Sequence, residues 1–198
     1  MRMLGLIAVL ALLGGCNVVH SSQPMFTAAD VVGAPSFREG VWASPDPHCD
    51  FDPNKPVETW PSCANGAPAG FGLKPGEELL VVAGEPLIVQ YRDVNDVHEA
   101  EYFFAGLAPI SRDRAGRITA AQFWSIQCGP PPRGGKSHSS KRRPTRSGTL
   151  HPLPGMVMDA DATNCTAQSA AAIRAAALPS RAWSKPAQTS YWVRDGDH

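Results

Sequence analysis

The chain has 198 residues, with 18 Lys plus Arg balanced by 18 Asp plus Glu, and 37 residues that are Gly or Pro. That length suits one domain with a real core and falls short of two, while the Gly and Pro content speaks against a largely helical protein and for strands joined by many turns. The neutral total hides an asymmetry: without Arg2 and six cations between 133 and 146, 11 basic residues face 18 acidic ones, a balance near −7 that gives no ground for a nucleic-acid partner.

Residues 1–15 read as a secretory leader. Met1-Arg2-Met3 supplies the basic start, Leu4 to Leu13 the apolar stretch, and Gly14-Gly15 the small residues before Cys16. The stretch is too short to cross a bilayer as a helix, which needs roughly 20 apolar residues. The ending Leu13-Gly14-Gly15-Cys16 resembles the lipobox of bacterial lipoproteins. The resemblance covers the leader alone. It implies cleavage before Cys16, lipidation of Cys16 on its sulfur and new amino group, and a chain held at a membrane of the cell envelope, facing the periplasm. Asn17 stands where aspartate often signals inner-membrane retention in such lipoproteins, so the outer membrane is favoured. Residues 16–32 then read as the lipidated cysteine and a polar tether, with Asn17, His20, Ser21, Ser22, Gln23 and Pro24. Residues 33–198 read as a single β-rich domain.

Within that domain a strand is expected around Gly40 to Ser44. From Pro45 to Pro75 the prolines recur too often for long elements. Leu79 to Val82 and Leu87 to Tyr91 read as strands around Gly84-Glu85-Pro86. Glu101 to Ile110 and Arg117 to Cys128 read as a hairpin, because Asp113-Arg114-Ala115-Gly116 is a short polar loop with a glycine able to take positive φ. Ile118, Ala120, Trp124, Ile126 and Cys128 share one parity in the second arm, so Cys128 points inward with the aromatic. Residues 133–149 are mostly Gly, Ser, Thr, Lys and Arg with almost nothing apolar, the composition of a disordered insertion. Ala167 to Leu178 reads as a helix that ends at Pro179, N-capped by Ser169 or Thr166 and packed through its alanines. Ser190 to Arg194 reads as a strand closing an edge.

Five cysteines become an even set once Cys16 is given to lipid. Cys49, Cys63, Cys128 and Cys165 then form disulfides in an exported chain. Three pairings are possible, and neighbours in sequence meet most easily, which favours Cys49–Cys63 and Cys128–Cys165. The first would close a loop of about 15 residues, worth about 3 kcal/mol in the chain-entropy model, and would replace a hydrogen-bonded ladder in the proline-rich region. No C-x-x-C occurs, so a zinc ribbon and a thioredoxin-type pair both lack support.

Catalytic and cofactor motifs come close and fail. Gly135-Lys136-Ser137 lacks the earlier glycine of a P-loop, and His98-Glu99 lacks the second histidine of a zinc-protease helix. No G-x-S-x-G is present. Asp50, Asp52 and Asn54 begin like an EF-hand but have Lys55 and Pro61 where glycine and glutamate belong, so they read as turn residues, as do Asp159 and Asp161. The acidic stretch Asp93, Asp96, His98, Glu99 and Glu101, with His48, has the donor types for a divalent ion or for acid–base work. A solvated loop explains it as well. Trp42, Trp60, Trp124, Trp183 and Trp192 read as core rather than a pocket.

The fold expected is α+β, mainly β: a mostly antiparallel sheet or small open barrel of roughly five to seven strands with one C-terminal helix. The function expected is a non-catalytic, disulfide-stapled envelope lipoprotein that binds or assembles in the periplasm without cofactor or metal. Its membrane contact is the lipid on Cys16. Arg133, Lys136, Lys141, Arg142, Arg143 and Arg146 are the candidates for touching anionic envelope components or acidic envelope proteins. The alternative is a small periplasmic enzyme or metal-binding protein built on the loop around His98.

Overall fold

The computed structural model describes residues 17–64, 79–94, 100–131, 151–184 and 188–196. Over these the chain is α+β and mainly β, with a mostly antiparallel open sheet of nine strands and one α-helix. In chain order the elements are β1 (Val19–Ser21), β2 (Val41–Ala43), β3 (Leu79–Val82), β4 (Leu87–Val94), β5 (Ala100–Arg112), β6 (Ile118–Ser125), β7 (Met156–Met158), β8 (Cys165–Ala167), α1 (Ala170–Trp183) and β9 (Gln188–Arg194).

The long strand β5 is the spine. Along one edge it pairs with β4, from Leu107 opposite Leu87 to Ala100 opposite Val94, and β3 lies beyond β4. Two strands share its other edge end to end. β6 takes the stretch from Ala105 to Arg112, and β1 takes Tyr102 and Phe103. From β6 the sheet continues to β9 and β2; from β1 it continues to β8 and β7. Among the pairings of named strands, β1 with β8 is the parallel one.

Strand alternation sends side chains to two cores. On β4, Ile88 joins Val19, Phe26, Phe104, Ile126 and Ile173 on the side that α1 covers. Leu87 and Val89 join Trp42, Ala105, Leu107 and Ile118 on the other side. Gln90 is buried on the helix side, where its Oε1 accepts from the Met25 and Phe26 amides and its Nε2 donates to the Phe26 carbonyl. One amide side chain thus satisfies a backbone turn that would otherwise be buried without partners.

The β5–β6 turn forms at Asp113–Gly116 as the sequence predicts. Gly116 takes φ 80°, and Asp113 Oδ1 accepts from the amides of Ala115 and Arg117. The helix begins at Ala170 rather than Ala167, which belongs to β8, and its expected cap Ser169 is in place, with Oγ accepting from the Ala172 amide. Ala172, Ile173, Ala176 and Ala177 are buried, so the helix does lie close through its small residues.

Four expectations are corrected. Residues 17–32 are no tether: Val19 and Phe26 are almost fully buried, and β1 lies between β5 and β8. Polar composition misleads there because His20, Ser21 and Asn17 each find a specific partner inside the fold. The helix runs through Pro179 to Trp183 rather than stopping before it. Proline removes the amide that would donate to the Ala175 carbonyl, yet the turn beyond it is held by side chains: the Ala176 and Ala177 carbonyls accept from Ser180 Oγ and Trp124 Nε1, each at 2.7 Å. β9 does not close an edge; it lies between β6 and β2. The strand number exceeds five to seven because β1, β7 and β8 have three residues each, too few for a period to show.

Candidate functional site

The end of the sheet where the chain enters at Asn17 is its most constrained surface feature. Asn17 adopts φ 94°, a conformation that asparagine tolerates better than most side chains. Its amide donates to the Thr163 carbonyl, its carbonyl accepts from the Cys128 amide at 3.0 Å, and its Nδ2 donates to the Gly129 carbonyl at 2.9 Å. The Val18 amide donates to Asn164 Oδ1, and the Val18 carbonyl accepts from the Cys165 amide, both at 3.2 Å. The Val19 amide donates to the Ile126 carbonyl at 3.1 Å. The first residues therefore run between two flanking segments, 126–129 and 163–165.

Those two segments are joined covalently. Cys128 and Cys165 form a disulfide with Cα atoms 5.8 Å apart, both residues fully buried. Cys128 Sγ also lies 3.4 Å from the Val18 carbonyl. The bridge thus closes over the strand that leads in from the N-terminal side. Parity along β6 was the sequence signal for Cys128, and it holds for Ile126, whereas Ile118 lies in the opposite core beyond irregularities in the β5–β6 register; for Val18 and Asn17 there was no signal.

The same end roots the basic segment. Asn17 bonds to Gly129, the Leu153 amide donates to the Cys128 carbonyl at 2.7 Å, and a Cβ on Gly129 would collide with the His151 carbonyl. Pro131 and His151, the described residues that bracket 132–150, therefore flank the place where the chain enters the fold. Cys16 and the six cations Arg133, Lys136, Lys141, Arg142, Arg143 and Arg146 lie outside the described residues, as does the insertion at 133–149.

The second disulfide joins Cys49 and Cys63, Cα atoms 5.6 Å apart, in the exposed loop after β2. That loop has short 3-10 turns at Val57–Thr59 and Ser62–Ala64 and no strand. Backbone bonds from Ser44 to Ala64 and from Asp46 to Cys63 close its base. Phe51 packs on Trp60 at 4.6 Å, Trp60 Nε1 donates to the Lys55 carbonyl, and Arg194 donates to the Pro53 and Lys55 carbonyls.

The acidic stretch is only partly described. Asp93 and Glu101 face each other in register across β4 and β5, while Asp96, His98 and Glu99 lie outside the described residues. His48 belongs to the stapled loop after β2, three strands along the sheet from β5. Glu101 instead meets His20, which sequence reading had placed in a tether. His20 Nδ1 contacts Glu101 Oε1, and its Nε2 lies 2.8 Å from Asp159 Oδ2. The imidazole rests beside Phe103, which stacks in turn on Tyr91. Two carboxylates thus take the two ring nitrogens from opposite sides, an arrangement that ties β5, β1 and the β7–β8 turn together. It leaves neither nitrogen turned toward a nucleophile or an ion. Among the described residues no group of three His, Cys, Asp or Glu is placed to hold a metal ion.

The remaining acidic candidates are turn residues. Asp52 Oδ1 accepts from the Asn54 amide. Asp161 accepts from Thr163 through both its hydroxyl and its amide, and these bonds hold its carboxyl below the usual carboxylate range. The indoles of Trp42, Trp60, Trp124 and Trp192 each donate to a backbone carbonyl, so their polar edges are spent on the fold. No family model matches this chain, and no curated protein or solved structure does either.

Proposed function

We propose that this protein is a non-catalytic lipoprotein of the bacterial cell envelope, anchored through Cys16 and presenting its domain to the periplasm for binding or assembly, with outer-membrane placement favoured. The observation that carries the reading is the cysteine arithmetic. Four of the five cysteines pair inside the domain, which suits an oxidising compartment, and the fifth is the lipobox cysteine. Three acyl chains, as the lipoprotein resemblance implies, would hold the chain far more firmly than the marginal binding of a single one.

The partners in this reading are the membrane, through the anchor, and anionic envelope components or proteins, through Arg133, Lys136, Lys141, Arg142, Arg143 and Arg146. The placement of Pro131 and His151 beside Asn17 supports it, because the two residues that bracket 132–150 lie next to the residue that follows Cys16 in sequence. Near an anionic surface each cation contributes about 1 kcal/mol, an attraction that fades within a Debye length of roughly 8 Å in physiological salt.

The test is fractionation of bacteria expressing the whole chain and a C16S variant. Wild-type protein should sediment with membranes and enter the detergent phase, while C16S stays soluble in the periplasm or keeps its leader. Soluble wild-type protein, or membrane retention of a leaderless C16S, would reject the anchor. Salt-sensitive binding of the unlipidated domain to anionic vesicles, lost on deleting 133–146, tests the basic segment separately.

A further inference from the structure

The geometry points to a domain seated directly on the lipid surface by the end that carries Asn17, without stand-off between anchor and fold. The inference rests on the lipid-anchor reading above and adds the face, the orientation and the absence of a spacer. Cys16 precedes Asn17 by one peptide unit, a Cα separation of about 3.8 Å. Asn17 is only 7% exposed, and its amide, carbonyl and side-chain Nδ2 are all taken by neighbouring segments. Val18 and Val19 are fixed in the same way, with Val19 fully buried. No residue on the domain side of Cys16 is available to act as a linker unless β1 leaves the sheet.

Acyl chains on residue 16 must enter hydrocarbon, so the surface around Asn17 meets the head groups. That surface is formed by the exposed Pro130 and Pro131, His151 and Pro152, and the turn Asp161–Asn164. The carboxylate of Asp161 is already occupied by Thr163, and that of Asp159 by His20 and Thr166. The far end is the β5–β6 turn at Asp113–Gly116. β6, eight residues from Ile118 to Ser125, leads away from that turn over roughly 23 Å at about 3.3 Å per residue. Seating by the Asn17 end turns that hairpin away from the bilayer, into the periplasm. The partner of the seated face is the lipid surface itself, whatever its charge, because the anchor and not the head group sets the distance.

Site-specific fluorophores introduced as unnatural amino acids at Ala162, Pro131 and Arg114 test this in the lipidated whole protein. The protein is reconstituted in vesicles carrying nitroxide head groups, either zwitterionic or with added anionic lipid. Ala162 and Pro131 should be quenched strongly in both compositions, and Arg114 should stay bright. A second variant inserts twenty Gly/Ser residues between Cys16 and Asn17, a spacer with a typical reach of about 25 Å. It should stay on the vesicles, keep the thermal midpoint of the unlipidated domain, and lose most of the quenching at Ala162 and Pro131. Quenching that is weak at all three positions, or unchanged by the spacer, overturns the seating while leaving the anchor intact. Quenching that appears only with anionic lipid assigns the contact to head-group charge and also overturns it. Protein that does not float with vesicles at all fails the anchor reading instead, a separate and recognisable result.

Discussion

The two disulfides of this protein do different work, and the difference follows from what surrounds each. Cys49–Cys63 staples an exposed loop with no strand of its own, where prolines deny the backbone its donors and side chains such as Arg194 and Trp60 supply them. Cys128–Cys165 lies fully buried across β1, inside a sheet already closed by backbone bonds. The first bridge replaces structure. The second locks structure that exists, and it locks Asn17, Val18 and β1 between two flanking segments.

Breaking the buried bridge should have the largest effect. In the chain-entropy model a loop of this size, with its ends 37 residues apart, corresponds to about 4 kcal/mol. The double variant C128A/C165A should unfold at least 10 °C lower in a calorimetric scan, with the amides of Val18 and Val19 losing their exchange protection first. C49A/C63A comes next at about 3 kcal/mol in the same model. Its loss should be local: exchange should rise between Pro45 and Ala64 while β1 and β8 stay protected. Equal loss of protection at β1 in both variants would erase the distinction between the two bridges.

Asn17→Ala should cost about 1–3 kcal/mol, because it removes a buried donor from the Gly129 carbonyl and places alanine at φ 94°. Asn17→Gly should cost less, since glycine keeps the backbone freedom and loses only the bond. A reversed order, read by urea unfolding, would show that the positive φ at residue 17 is not what separates the two variants. On the loop side, Arg194→Met removes donors to Pro53 and Lys55 and should cost about 1 kcal/mol, with exchange rising around Lys55.

The smallest effect is on pH. The Thr163 hydroxyl and amide hold the Asp161 carboxyl below its ordinary value of 3.8. A lowered folded pKa gives stabilisation that is full above 3.8 and fades as the pH falls through the folded value. An NMR titration should find Asp161 ionising below 3.8 and the Asp161–Asn164 turn loosening only in that acid range. Thr163→Ala should move the titration upward. An unchanged midpoint in that variant would rule out the hydroxyl as a cause.

The sequence was legible where period or turn chemistry acts over many residues. β4, β5 and β6 are β-rich runs of eight or more residues, and Asp113-Arg114-Ala115-Gly116 has the composition its turn requires, so these elements were foreseen. Ser169 and the alanines of α1 were equally readable. The Asn17 end was not. Three-residue strands have no period, and His20 reads as solvated until Glu101 and Asp159 are brought to it from 81 and 139 positions away. Pro179 misled because the helix end beyond it is held by Trp124 on β6, which donates to the Ala177 carbonyl and which no local rule can supply. The pairing of the cysteines was recoverable from sequence neighbours alone. That one of the bridges closes over β1 was not.

Intact-mass measurement of the protein extracted from native membranes, before and after reduction, tests the central claim most directly. The expected species begins at Cys16, carries added acyl mass, and gains four hydrogens on reduction as both bridges open. A chain that retains residues 1–15, that carries no acyl mass, or that gains none of those hydrogens would contradict a lipid anchor joined to a disulfide-locked fold.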